Sequence, residues 1–390
     1  MIHLKRDRKV LVGVVSSLVT AVIWSACFWH FVTEFKSDSF TKPQSSHSPS
    51  PYPCNCQNNG TCQNEICICL DEWKGDHCDI ANFCERHKYN SAQGVFTFNR
   101  ILVGQYGYSN EECEPHTLNA NISKATRLCT ENNRTITLQD VTLVDCNKNL
   151  ENLMEQIMGH ITEEELLKIA ITTQILTSEP DKMTAENITF AAQMVEHILN
   201  QSNLLDSFQA AFLAITTISQ LLNVNQTAFD PTNIEIFNIT QSLTETLEDV
   251  LTDVGSSFSQ VVQPNLAVSS IKLESGTTRG ILLSALKGYD DTLVSKRIEL
   301  NTNASKFLLN TNAEVQMFIN VSTNQSQVGK LGFILYQNDK FFQSKVHRSI
   351  NDGSRRVISG NIADGILNSV ELLFNPKVSV EKATLAIESV

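Results

Sequence analysis

Residues 54–78, CNCQNNGTCQNEICICLDEWKGDHC, hold six cysteines, and the rest of the 390-residue chain holds only five more. A segment this short buries too little apolar surface to fold by packing alone, so its sulfurs must staple it covalently or hold a metal. Structural metal sites use C-x-x-C pairs followed by a second pair or by H-x-x-x-H. Here the close pairs are C-x-C, Cys54/Cys56 and Cys67/Cys69, with no such partner pair downstream. The spacing fits no iron–sulfur cluster either. The segment therefore reads as three disulfides, each contributing about 2–5 kcal/mol to a module of this kind. No metal or other cofactor is expected. Composition alone does not choose among the possible pairings.

The remaining cysteines and the asparagines agree on the compartment. Setting Cys27 aside, the cysteines from Cys54 to Cys146 form an even set that can be fully paired. Asn-x-Ser/Thr sequons fall at Asn59, Asn121, Asn133, Asn187, Asn200, Asn225, Asn238, Asn303, Asn320 and Asn324. One sequon means little; so many, spread along the chain, point to export and N-glycosylation. Upstream, Lys5-Arg6-Asp7-Arg8-Lys9 precedes residues 10–33, which carry no formal charge unless His30 is protonated. That length spans a bilayer, with the basic flank on the cytosolic side. Residues 1–33 are thus a signal peptide, cut near Ser25-Ala26-Cys27, or a retained signal anchor. Residues 34–53 are Ser- and Pro-rich with almost nothing to bury, and read as an extended, solvated linker. The net charge of −12 and pI near 5.3 argue against a nucleic-acid partner.

After residue 78 the texture changes twice. Residues 79–146 carry Cys84, Cys113, Cys129 and Cys146 between short apolar runs punctuated by Gly94, Gly104 and Gly107. They read as a loop-rich, two-disulfide module with little regular structure, its pairing open among three connectivities. Residues 147–262 then show a 3.6-residue apolar period. Leu150, Leu153, Met154, Ile157 and Ile161 share a face, and Thr162 with Glu165 forms a capping box that restarts a helix, which Pro180 ends. A further helix carries Ile188, Ala191, Ala192, Val195, Ile198 and Leu199 inward. The next carries Leu205, Phe208, Phe212, Ile215, Ile218 and Leu222. A last one, opened by Pro231, carries Leu243, Leu247, Val250, Leu251 and Val254. In residues 263–377 the period shifts toward two. Val315, Met317, Ile319 and Val321 alternate with Gln316, Phe318 and Asn320, so a glycan on Asn320 is expected to stand in water. Further strands are expected at 266–273, 281–286, 293–300, 331–337, 355–361 and 369–374, with a hairpin turn at Asn338-Asp339. The fold class is multidomain α+β ending in an antiparallel β-sandwich.

Two resemblances sharpen this outline. The order C-x-C-x5-C-x4-C-x-C-x8-C in residues 54–78, with its Trp73-x-Gly75-x-x-Cys78 ending, resembles an EGF-like domain. That resemblance implies the pairs Cys54–Cys62, Cys56–Cys67 and Cys69–Cys78. The acidic tripeptide of calcium-binding EGF domains is replaced by Pro51-Tyr52-Pro53, so no calcium is expected. A helical subdomain followed by a sandwich, behind an EGF-like module, resembles the GAIN domain of adhesion G-protein-coupled receptors of subfamily G. The motif Tyr336-Gln337-Asn338-Asp339-Lys340-Phe341-Phe342 is similar to that family's Tyr-x-Asn-x-x-(apolar)-Phe hairpin. The family's proteolysis motif, with its paired cysteines and His-Leu-Ser/Thr triplet, is not found. His160-Ile161-Thr162 lies in the helical region and reads as a helix start. Residues 378–390 depart from the family, which leads to the expectation of a truncated ectodomain, a splice product or an incomplete gene model with an incomplete sandwich.

No catalytic constellation emerges. The histidines are scattered, and Glu163-Glu164-Glu165 reads as a helix N-terminus complementing the dipole. Gly276, Gly280 and Gly288 form no phosphate loop. Trp73 is expected to pack on the disulfides, and one of Phe341 and Phe342 to face the core. The chain is therefore read as a non-enzymatic receptor ectodomain on the extracellular side of the cell membrane. Its expected partner is an extracellular protein or matrix ligand. It would meet the membrane through residues 10–33 if these are uncleaved, and a G protein only through a membrane core that this chain lacks. The alternative is a secreted or anchored EGF-containing glycoprotein with a structural or decoy role. In either case the unreduced, denatured protein should take up no thiol-alkylating label between Cys54 and Cys146; labelling at any of these positions would refute the oxidised-module reading.

Overall fold

The structure, a computed structural model, describes residues 54–375 apart from 64, 160, 202–207, 230–233, 254–259, 289–290, 308–309, 311, 325–327 and 343–355. Leu205, Pro231 and Val254, the leader and the tail lie outside the described residues.

Residues 54–78 hold β1 (Thr61–Gln63), β2 (Ile66–Ile68) and β3 (Trp73–Lys74); β1 pairs with β2, and β3 pairs with β4 (Ile80–Ala81) just beyond the knot. The disulfides are Cys54–Cys62, Cys56–Cys67 and Cys69–Cys78. The next module departs from expectation, because it is largely β-structure. Its strands are β5 (Phe83–Cys84), β6 (His87–Ser91), β7 (Gly94–Phe98), β8 (Ile101–Leu102), β9 (Tyr106–Tyr108), β10 (Ala125–Asn132), β11 (Thr135–Leu138) and β12 (Thr142–Leu143). The long strand β10 pairs with β9, β11 and β12. Its hairpin to β11 turns on Asn133 and Arg134, both at positive φ, as a two-residue hairpin that follows strand twist requires. Cys84–Cys129 sits among Phe96, Phe98, Ile101 and Ala125 as the centre of a small core, and Cys113–Cys146 ties the loops beside it. Most of these strands are only two to five residues long, which gives little alternation to read.

The helical subdomain begins at α1 (Leu150–Ile157), capped by Asn149 and Asn152. Thr162 and Glu165 make the reciprocal cap of α2 (Glu163–Leu176), whose first turn is acidic. That helix stops before Pro180, which instead opens a 3-10 turn. In α3 (Ala185–Asn200), capped by Thr184, the expected inward face is buried throughout. In α4 (Phe208–Leu221) the inward face is rotated from the expected one: Phe208 is 45% exposed, while Ala210, Ala211, Leu213 and Ala214 are buried with Ile215 and Ile218. Small residues on that face let neighbouring helices approach closely, so the alanines face inward at the expense of one phenylalanine. Leu243, Leu247 and Leu251 of α5 (Ile234–Thr252) complete the core.

The sandwich starts earlier than expected, with β13 (Gln260–Gln263) turning at Pro264-Asn265 into β14 (Leu266–Leu273). It continues through β15 (Thr278–Leu286), β16 (Ile298–Asn301), β17 (Ala313–Ser322), β18 (Gly329–Tyr336), β19 (Val357–Ala363) and β20 (Ile366–Phe374). The sheets have the orders β13-β14-β18-β19 and β16-β15-β17-β20, all antiparallel. Val315, Met317, Ile319 and Val321 point into the core between them. The opposite face of β17 is not simply solvated: Phe318 is buried with Leu282 and Ala304, and Gln316 is buried on Ser284. The segment after β16 lies over that face, with Ala304 N–H donating to Gly280 O at 2.8 Å. Asn320 is consequently half-buried, and its Oδ1 is enclosed without a hydrogen-bond partner. The expected strand 293–300 is instead a 3-10 turn, Ser295–Arg297, leading into β16.

Helices and sandwich share one apolar core. Leu251 belongs to the same buried cluster as Val261, Leu266, Val268, Ile334, Tyr336 and Phe341. Gly332 on β18 is required there, since a Cβ would come within 2.9 Å of the Leu251 Cβ. At the other end, edge strand β20 exposes Ile366, Leu367, Val370, Leu372 and Phe374. An apolar edge strand is a template for association. Leu367→Lys with Val370→Lys should raise the soluble monomer fraction in size-exclusion chromatography without lowering the melting temperature. An unchanged monomer fraction would show that β20 is not the adhesive edge.

Candidate functional site

The knot places its functional-looking side chains by covalent constraint. Gly60 sits where a Cβ would press on Cys78 Sγ and the Cys56 Cβ, and Asn58 and Asn59 turn at positive φ beside it. Gly75, also at positive φ, turns the chain back toward Cys78. Between Cys69 and Cys78 the resulting loop presents Asp71, Glu72, Trp73 and Lys74.

These four residues form a junction with the rest of the chain. Asp71 and Arg297 are both about nine-tenths buried, and Arg297 Nη2 donates to Asp71 Oδ1 at 2.7 Å. Thr292 Oγ1 donates to the other carboxylate oxygen at 2.8 Å, and Arg297 Nη2 also reaches Thr292 O at 2.6 Å. Lys296 Nζ donates to the carbonyls of Leu70 and Trp73. Gly288 leaves room for the guanidinium, which a Cβ at that position would strike. Burial pushes the Lys296 ammonium down to about 8, against the opposing pull of Asp71 and with help from Arg297 and Lys74. Trp73 makes an aromatic contact outside the knot. Its ring meets Phe83 edge-on with centroids 5.6 Å apart. Arg100 stacks on the other partner of that contact, 4.3 Å from the Phe83 centroid, and pairs with Glu85 and Glu72. Lys74 pairs with Glu131 of β10.

The β-module in turn grips the helices and the sandwich. The half-buried Tyr108 accepts at its hydroxyl from the amides of Gln174 and Gln220, and desolvation raises its pKa. Tyr106 packs against Phe212 at 5.9 Å, and Gln263 Nε2 donates to Gly104 O at 2.9 Å. The Tyr336–Phe342 motif is a corner rather than a two-residue hairpin. Strand β18 ends at Tyr336, and Phe342 N–H closes a turn on Asp339 O. Asn338 Nδ2 donates to Leu222 O at 3.1 Å and Lys340 Nζ to Val224 O at 2.6 Å, which docks the corner on the end of α4. Phe341 is buried against Phe229, and Phe342 is exposed with its ring against Tyr336.

Cys54, Cys56 and Cys67 bring three sulfurs within 4.8 Å, but each belongs to a disulfide and supplies no thiolate. Thr162 and the glutamates after it serve as the α2 cap. Of the sequon asparagines, Asn59, Asn121, Asn133, Asn200, Asn225, Asn238, Asn303 and Asn324 are exposed, whereas Asn187 and Asn320 are half-buried. Asp71, Thr292, Lys296 and Arg297 were missed. The available signal was the pair Lys296-Arg297 set close to Leu293, Val294 and Ile298, since a charge drawn inward needs a partner.

Three protein-family models match the chain: "GPR128, N-terminal domain" over residues 61–144, "GPR128, GAIN subdomain A" over 150–252 and "GPR128 GAIN subdomain B" over 260–374. The first runs across the boundary expected at residue 78. Among curated proteins, the chain is 36% identical over 391 residues to the adhesion G-protein coupled receptor G7 of Mus musculus, covering 98% of this chain and 47% of the relative. It is 37% identical over 385 residues to that of Homo sapiens, covering 97% and 46%. The chain thus spans about half the length of the curated relatives it matches. Among solved structures, the full extracellular region of zebrafish Gpr126/Adgrg6 aligns at TM-score 0.40 and 13% identity, over 71% of this chain and 34% of that one. No helix among the described residues is long and apolar enough to cross a membrane.

The lowered Lys296 value has a definite sign. Between about pH 8 and the ordinary lysine value of 10.5 the unfolded chain holds the proton that the folded chain has released, so stability rises with pH across that window. The melting temperature of the wild-type chain relative to Lys296→Met should therefore increase from pH 8 to pH 10. A difference that stays constant or shrinks would contradict the buried placement.

Proposed function

Because this chain belongs to the adhesion G-protein-coupled receptor family and corresponds to the extracellular region of such a receptor, we propose that its disulfide-stapled modules bind a cell-surface or matrix partner. In this reading the sandwich passes the effect of that contact to a membrane core, and so regulates the receptor's signalling. The observation that carries it is the junction at Asp71, where the most N-terminal described module is fixed to the sandwich by side-chain contacts as well as by chain connectivity. A contact made on residues 54–146 is thereby in direct mechanical register with residues 260–374. The EGF-like face supplies exposed apolar anchors, Ile66 and Ile80, each about half accessible. Isolated apolar anchors in a polar rim suit protein partners.

The test is binding of the labelled chain to live cells and to coated matrix proteins. Ile66→Asp with Ile80→Asp should weaken saturable binding at least tenfold while leaving the melting temperature unchanged. Binding that is indifferent to these changes, and also to blocking residues 54–146 with an antibody, would overturn the reading. In this reading carbohydrate stands on the exposed sequons, and Asn320 is left bare because its Oδ1 is enclosed. Peptide mapping after glycosidase treatment should mark Asn59, Asn121, Asn133, Asn200, Asn225, Asn238, Asn303 and Asn324. A mark at Asn320 would refute the burial argument.

A further inference from the structure

Two kinds of joint hold the described residues together, and they differ in chemistry. The helices and the sandwich share apolar side chains in one core. Between the knot and the sandwich, among the described residues, no apolar cluster contains members of both; the joint is made by Asp71, Thr292, Lys296, Arg297 and backbone carbonyls. An apolar joint has no preferred direction of failure. A joint of a few directional polar bonds breaks over a short displacement and re-forms in one register.

The segment that receives Asp71 is itself held from the far side. Arg356, immediately before β19, pairs through Nε with Glu314 Oε1 at 3.0 Å, and both side chains are largely buried. Its Nη2 lies 3.5 Å from Asp291 O, one residue before Thr292. A continuous series of polar contacts therefore runs from Asp71 through Thr292 and Arg297 to residue 291, then through Arg356 to Glu314 on β17 and to the start of β19. Strand β19 is the edge of its sheet, held on one side by β18.

We propose that the knot is a reversible latch on the sandwich, closed by Asp71 on Arg297 and Thr292, and that its closure is coupled through residues 291–297 and Arg356 to the ordering of edge strand β19. Opening the latch loosens β19, and loosening the Arg356 anchor opens the latch, since coupling between two sites is reciprocal. The inference rests on the reading that the chain hands an outside contact to the sandwich, but its test needs no partner.

The experiment is amide hydrogen exchange on the full chain. Asp71→Asn should speed exchange at least tenfold in residues 292–298 and in Val357–Ala363, and leave α3 unchanged. Thr292→Val, which leaves the sequence of the disulfide knot intact, should do the same to a smaller degree. From the opposite end, Glu314→Gln should speed exchange in residues 70–74. Unchanged protection of Val357–Ala363 in both latch variants would overturn the coupling, as would unchanged protection of 70–74 in Glu314→Gln. Acceleration that extends equally to α3 would overturn it too, by showing general destabilisation. Failure of the chain to bind cells, with this exchange pattern intact, would count against the proposed function and leave the latch standing.

Discussion

A buried guanidinium obliges a structure to bring it a carboxylate. Arg297 lies at the foot of the sandwich, and Asp71 answers it from 226 residues away. Removing two such groups from water costs several kcal/mol per ion before their attraction returns it, so further hydrogen bonds around the pair are needed to offset that cost. Thr292 meets the second carboxylate oxygen, and Gly288 clears the space the guanidinium occupies. The disulfides of the knot matter here as well. Without Cys69–Cys78 the loop carrying Asp71 would have to be ordered at the expense of chain entropy, and one ion pair does not supply that.

The apolar joint works differently. Leu251, Ile334 and Tyr336 are buried in a core that the helices and the sandwich build jointly, with Gly332 allowing α5 to lie directly against β18. The corner at Asn338 adds directional bonds to backbone carbonyls at the end of α4, so the sandwich meets the helices at two points. This part of the chain is one body in the energetic sense, because neither half retains its burial without the other. The spacing of the Tyr336–Phe342 motif thus has a physical purpose: Asn338 bonds to the helices, Phe341 fills their core, and Phe342 covers Tyr336 from outside.

Local rules made much of this legible in the sequence. Thr162 with Glu165, the apolar face of α3 and the alternation in β17 are signals confined to a few residues, and each was readable. Phe208 and the outer face of β17 were misread for one reason. Periodicity says which residues share a face, not what lies over it, and there the alanines of α4 and the segment around Ala304 decide. The pairing of the four later cysteines was not readable at all, because Cys84 sits on a two-residue strand and meets Cys129, 45 residues away, through tertiary packing that no local pattern shows. The junction at Asp71 lay furthest out of reach, since no local pattern relates a loop of the knot to a turn beyond residue 290.

That separation along the chain has a consequence for biogenesis. Synthesis proceeds N-terminal first at roughly 5–20 residues per second, so the polypeptide carrying Asp71 enters the lumen roughly 10–45 s before Arg297 does. For that interval the knot lacks its seat. Its docking face is open to whatever chaperone or oxidoreductase stands at the translocation pore, and the ion pair can form only as one of the late steps of maturation.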